Sequence, residues 1–115
     1  MNKADLFREL IGTYRKYGWE LMGALLQPST QAEITAQPDL LNLSVKDSSF
    51  DALWFSRPSH HNREAWELRL LAETQYALFE SFEADETEEQ REEMRLEMEA
   101  RMREYVTGDS TERGH

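Results

Sequence analysis

Apolar residues recur along this chain with two different periods. From residue 3 to residue 17, Leu6, Phe7, Leu10, Ile11 and Tyr14 return every three or four positions, while Lys3, Arg8, Arg15 and Lys16 fall mostly elsewhere. That spacing predicts an amphipathic helix. Asn2 is placed to cap its first turn, Asp5 suits the positive end of the helix dipole, and Gly18 suits a left-handed stop. Period two then takes over. Trp19 to Leu26 reads as a strand, with Trp19, Leu21, Gly23 and Leu25 on one side and Glu20, Met22, Ala24 and Leu26 on the other. Both sets are largely apolar, so this strand is expected to be central or covered on two faces.

Three more strands are predicted at Phe50 to Arg57, Glu64 to Leu71 and Gln75 to Phe82. The alternation is cleanest in the second of these, where Trp66, Leu68 and Leu70 oppose Glu67 and Arg69. Pro58 stops the strand before it, and the linkers Ser59 to Asn62 and Ala72 to Thr74 are of hairpin length, which predicts antiparallel pairing. Helical spacing returns from Glu86 to Val106, where Met94, Met98, Met102 and Tyr105 form a stripe. Thr87 with Gln90 has the form of a capping box, and Gly108 is placed to close the helix. Arg101 and Arg103 sit near the C-terminal end, where cations belong. Between the first two strands, Pro28 to Ser49 is polar and reads as a long loop, with Thr30 and Glu33 in capping-box spacing over a short helical turn.

These elements predict a single α+β domain over residues 1–108, in the order α-β-β-β-β-α, followed by a disordered tail from Asp109 to His115. A four-stranded, mainly antiparallel sheet is expected, flanked by N- and C-terminal amphipathic helices that both lie on one face. At 115 residues and 39% hydrophobic content, one modest core is within reach without covalent staples. The chain has no cysteine, which removes disulfides, thiol catalysis and zinc–thiolate sites. No stretch approaches the roughly 18 apolar residues of a membrane span, and Met-Asn-Lys-Ala-Asp does not begin a signal peptide. The expectation is a soluble, cytoplasmic protein.

Charge sharpens this picture. Between Glu80 and Glu99 lie ten acids (Glu80, Glu83, Asp85, Glu86, Glu88, Glu89, Glu92, Glu93, Glu97 and Glu99) and two bases, Arg91 and Arg95. Eight of the chain's ten net negative charges therefore fall in one predicted helix and its approach. Phosphate backbones and anionic lipids are repelled by such a surface, so neither nucleic acid nor membrane is expected as a partner. Basic proteins are attracted, and faster at low salt. Along this helix Glu88–Glu92 and Glu89–Glu93 are like-charge pairs, offset by Glu97–Arg101 and Glu99–Arg103.

The chemistry-bearing residues do not assemble into a motif. His60 and His61 are adjacent in a predicted turn, and adjacent side chains diverge, so a polar turn outweighs a metal site. Glu20 and Glu67 each follow a tryptophan in a Trp-Glu-Leu triplet and are the one carboxylate pair worth weighing for hydrolysis. With both tryptophans turned to the core, both glutamates face outward. No serine sits in a Gly-x-Ser-x-Gly elbow, no two glycines define a phosphate-cradling loop, and the acidic run lacks the glycine of an EF-hand.

The favoured expectation is thus a non-catalytic protein-interaction module, without cofactor or metal, that acts as a homodimer or as the acidic partner of a basic protein. Its candidate contact residues are Glu86, Glu89, Glu93, Trp54 and Phe55. The two aromatic residues enter because adjacent rings on a strand point to opposite faces, and a sheet covered on one side leaves one of them bare unless the Pro28–Ser49 loop covers it. In size, acidity and flanking amphipathic helices the chain resembles the small acidic chaperones of type III secretion, and differs from them in lacking an evident middle helix. The alternative is a pocket for a small apolar ligand built from Tyr14, Tyr76, Trp54 and Trp66. A hydrolase using Glu20 and Glu67 ranks last.

Overall fold

A computed structural model of the chain describes residues 2–40, 44–83 and 85–108. The predicted tail from Asp109 lies outside the described residues. Helix α1 (Lys3–Lys16) begins where expected: the Asn2 side chain accepts a hydrogen bond from the Asp5 N–H at 2.8 Å. Past its end, Gly18 takes the left-handed conformation at φ 86°. Strand β1 (Glu20–Leu26) follows, then helix α2 (Pro28–Thr35), a 3-10 turn (Pro38–Leu40) and a short strand β2 (Val45–Asp47). Strands β3 (Ala52–Pro58), β4 (Glu64–Leu70) and β5 (Ala77–Phe82) precede helix α3 (Glu88–Thr107).

The sheet has five strands, in the order β2-β1-β3-β4-β5. Four of them pair antiparallel, as expected, with β3 against β4 and β4 against β5 in unbroken register. The fifth, β2, was not expected. It runs parallel to β1, which is the geometry a crossover connection produces, and α2 lies in that crossover. The segment read as a loop therefore completes a β-α-β unit with β1. Pro28 opens α2 at a position that tolerates a missing N–H. Thr30 and Glu33 do not form a capping box; Thr30 donates to Asp51, and Glu33 accepts from the Ala4 N–H.

The terminal helices lie on opposite faces of the sheet, which corrects the one-faced arrangement. Under α1 and α2, Phe7, Leu10 and Ile34 pack with Leu26, Leu53 and Phe55. Under α3, Met98 and Met102 pack with Leu25, Phe50, Trp54 and Leu68. The reason is visible in β3, whose residues Ala52 to Ser56 are all buried. A strand apolar on both sides needs cover on both. The alternation predicted for β1 also breaks. Leu21 pairs with Phe55 and Gly23 with Trp54, so Met22 is the extra residue of a β-bulge. Beyond it the side-chain parity flips, and Ala24 and Leu26 join Trp19 and Leu21 on the α1 face.

Asp51 knits the α1 side together. It is 4% exposed, and its carboxylate accepts from the Gln27 N–H at 2.8 Å and from the Thr30 hydroxyl at 2.7 Å. Gln27 precedes α2 and makes no side-chain cap of its own, so the cap is supplied from the start of β3. Lys3 at the head of α1 reaches the same carboxylate at 3.5 Å and donates to the Leu71 carbonyl at 2.6 Å. At the surface, Arg8 binds both oxygens of Asp39 at 2.9 Å, joining α1 to the 3-10 turn. The hydrogen bond from Arg8 holds the Asp39 carboxyl below its ordinary range.

Candidate interaction surface

Helix α3 has two unlike sides. The Thr87 hydroxyl accepts from the Gln90 N–H at 3.1 Å while the Gln90 side chain accepts from the Thr87 N–H at 3.0 Å, the capping box read in the sequence. Met98 and Met102 are fully buried on the sheet. The opposite side is carboxylate-rich, and its acids fall into two groups. Glu88 and Glu92 are bridged by Arg95, at 2.5 and 3.0 Å. Burial of the Arg95 guanidinium lowers its pKa, but its hydrogen bonds to Glu92 and Glu88 prevail and leave it raised. Arg95 also lies 5.1 Å above the Trp66 ring, so its charge is spent within the molecule.

Glu89, Glu93 and Glu97 form the second group. They recur every four residues, are exposed, and have no ion pair among the described residues. Asp85 at the approach to the helix is likewise exposed. The expected intrahelical pairs Glu97–Arg101 and Glu99–Arg103 are not made. Arg101 reaches Glu80 on β5 at 3.5 Å, Glu99 pairs with Lys46 on β2 at 3.4 Å, and Arg103 lies 5.8 Å from the Phe50 ring. A helix docked on a sheet offers its flanking charges partners across the seam, and those replace partners one turn away.

Of the predicted contact residues, Glu89 and Glu93 lie on this outer face and Glu86 is half-buried beside it. Trp54 and Phe55 are elsewhere. They are 7% and 0% exposed, Trp54 beneath α3 and Phe55 stacked on Tyr14 at 4.1 Å, because each face of the sheet has its own helix layer. Neither ring is bare.

Glu20 and Glu67 are separated by the sheet. Cross-strand partners share a face; Glu20 pairs with Ser56 and through it with Trp66, whereas Glu67 pairs with Phe55 and through it with Leu21. Glu67 accepts a short hydrogen bond from the Tyr14 hydroxyl. Burial, and next this bond, raise the Tyr14 pKa to about 12. His60 and His61 occupy an exposed hairpin turn, their ring centres 6.4 Å apart. His61 and Asn62 both have positive φ, and the Arg63 N–H donates to the His60 carbonyl at 3.1 Å, which is a type I′ turn. No group of three metal-ligating side chains occurs among the described residues.

One groove opens where the sheet emerges from beneath α3. Its volume is about 270 Å³, and Met22, Gly23, Trp54 and Trp66 line it between Lys46 and Arg95. Two of the four aromatic residues expected in an apolar pocket are therefore here. Tyr14 is on the other face, and Tyr76 stacks on Tyr105 at 3.5 Å. Sequence reasoning missed this groove because the bulge at Met22 and strand β2 create it.

What fold and surface define is an α+β domain with helices on both faces of a mixed five-stranded sheet. No family model matches the chain, and no curated protein or solved structure matches it either. Among the described residues no helix is long and apolar enough to cross a membrane.

Proposed function

We propose that this chain is a non-catalytic, cytoplasmic protein-interaction module that recognises a basic protein through the outer face of α3. The observation that carries the reading is the exposed row Glu89, Glu93 and Glu97, which has no ion pair among the described residues. Like charges one turn apart destabilise a helix, yet among the described residues no base pairs with this row, although Arg95 on the same helix pairs with both Glu88 and Glu92. A partner bearing lysine or arginine at matching intervals relieves that repulsion when it docks. Its capture is steered by the field of the acidic segment and weakens as salt screens it.

The test compares wild type with the triple variant Glu89→Gln, Glu93→Gln, Glu97→Gln in pull-downs from the native host's lysate, at low and high ionic strength. A stoichiometric basic protein is expected on the wild type at low salt, released at high salt and lost from the variant. A partner held equally by both proteins at both salts would overturn the reading. The groove under Trp54 and Trp66 favours a second reading, a site for a small apolar ligand. Thermal stabilisation by such a ligand that Trp66→Ala abolishes supports it.

A further inference from the structure

Strand β5 is the last strand of the sheet, and among the described residues its outer edge pairs with no other strand. Sheets protect such edges with prolines, charged side chains (lysine above all), bulges or short strands. The opposite edge strand, β2, has two of these devices, since it is three residues long and contains Lys46. Strand β5 has only one, the charged Glu80, which is drawn toward Arg101 on α3. Ala77–Phe82 carries neither proline nor lysine, and its six pairs with β4 run without a register shift.

Its free hydrogen-bonding groups can be named. The Leu70 N–H donates to the Tyr76 carbonyl at 2.9 Å, so these opposed residues are a hydrogen-bonded pair. Bonded and non-bonded pairs alternate along an antiparallel ladder. Ala77, Phe79 and Ser81 therefore direct their N–H and C=O groups away from β4. The two faces flanking that edge differ in chemistry. On the α1 face Phe79 is 56% exposed, its ring set edge-on to Trp19 at a centroid distance of 6.4 Å. On the α3 face stands Glu80, in a loose 3.5 Å pair with Arg101, and the exposed Glu83 follows the strand.

We propose that the β5 edge accepts an extended segment of the basic partner as a sixth strand. Residues of that segment alternate between apolar, against Phe79, and cationic, toward Glu80. This deepens the reading of α3 as an acidic recognition face and rests on it. A second copy of this chain fits the edge poorly. Helix α3 packs on β4 and β5, so a two-fold seam at β5 brings two acidic helices together. A cationic strand instead meets opposite charge. Main-chain bonds along the edge then supply affinity, and the alternating side chains supply specificity.

The experiment uses two fluorescent synthetic peptides of equal composition, one alternating lysine and valine, the other with all lysines before all valines. Binding is read by anisotropy, and amide exchange of the full chain by NMR. The expected result is about tenfold tighter binding of the alternating peptide, slowed exchange at Ala77, Phe79 and Ser81, and loss of the preference in Ser81→Pro. That variant removes an outward N–H and leaves the β4 ladder intact; if it fails to fold, exchange in the native chain decides alone. Equal binding of both peptides with unprotected amides overturns the proposal. In that case, weakening of both by the triple glutamine variant leaves the acidic-face reading standing. Protection that is indifferent to salt and to the glutamine variant supports the edge and sinks the acidic face. A concentration-dependent dimer by light scattering, lost in Ser81→Pro, overturns the proposed occupant in favour of a second copy.

Discussion

Replacing Asp51 by alanine tests the architecture most directly, because one carboxylate joins α1, α2 and β3. The substitution removes the acceptor for the Gln27 N–H at 2.8 Å, for the Gln27 side-chain amide at 3.2 Å and for the Thr30 hydroxyl at 2.7 Å. Thr30 is 5% exposed, so its hydroxyl is left buried without a partner, a cost of about 1–3 kcal/mol. Loss of the α2 cap adds about 1 kcal/mol. Lys3 is 38% exposed and returns to water, so its 3.5 Å contact contributes little. Asp51→Ala is therefore expected to cost about 2–4 kcal/mol, a large share of the roughly 5–15 kcal/mol typical of a domain. Asp51→Asn keeps one acceptor oxygen and is expected to cost about half as much.

Urea unfolding followed by tryptophan fluorescence and far-UV circular dichroism measures both, with Thr30→Val and the double variant completing a cycle. A coupling of about 1 kcal/mol between Asp51 and Thr30 is expected. A cost for Asp51→Ala below about 1 kcal/mol at unchanged m-value, or additive effects with Thr30→Val, would refute the cap from β3.

Four further substitutions probe other parts of the fold. Met98 is fully buried, so Met98→Ala is expected to cost about 2–4 kcal/mol in the same urea assay; a change under about 0.5 kcal/mol would remove α3 from the core. Glycines 12 and 18 both have open space where a Cβ would go, but only Gly18 has a positive φ. Gly18→Ala is expected to destabilise by about 1–2 kcal/mol and Gly12→Ala to stabilise by about 0.5–1 kcal/mol, and equal signs would contradict the backbone argument. The Tyr14 pKa is raised from 10 to about 12, first by burial and then by the bond to Glu67. The fold thus favours the neutral phenol, and that stability is complete below pH 10 and lost between pH 10 and 12. Solvent screening at this half-exposed ring reduces it to roughly 1 kcal/mol. Tyr14→Phe is expected to flatten the alkaline limb of stability against pH by that amount, and an unchanged limb would exclude Tyr14 as its source.

Local signals were legible where one residue type has one physical use. Asn2, the Thr87–Gln90 box and the left-handed Gly18 and Gly108 all stand where the pattern put them. The three later strands did too, because their alternation and hairpin-length linkers are short-range features. Strand β2 was not legible, since three residues carry no period and its pairing with β1 is non-local. Layering was the larger miss. Adjacent Trp54 and Phe55 on a strand flanked by further apolar residues are the mark of a two-faced strand. Once both helices are assigned to one face, the same pair reads as an exposed ring. The bulge at Met22 hid in the same way: an apolar residue on each face makes a shift of parity invisible to alternation. Asp51 gave no signal at all, because its partners lie 21 and 24 positions away.

Covering both faces of the sheet changes where function can reside. With the two halves of the core enclosed, what remains accessible is the rim of the sheet and the outer sides of the helices. On α3 that outer side works against its own stability. Glu93 has like charges one turn before it at Glu89 and one turn after it at Glu97, while the helix is held by the buried methionines. Neutralising Glu93 therefore relieves two repulsive pairs and disturbs no packing. Glu93→Gln is expected to raise stability by a few tenths of a kcal/mol and to weaken capture of a basic partner. A row of charges kept only as a solvated surface predicts the first effect without the second. Measuring both on one variant separates an interaction surface from a merely soluble one, since only a recognition site loses binding as its helix gains stability.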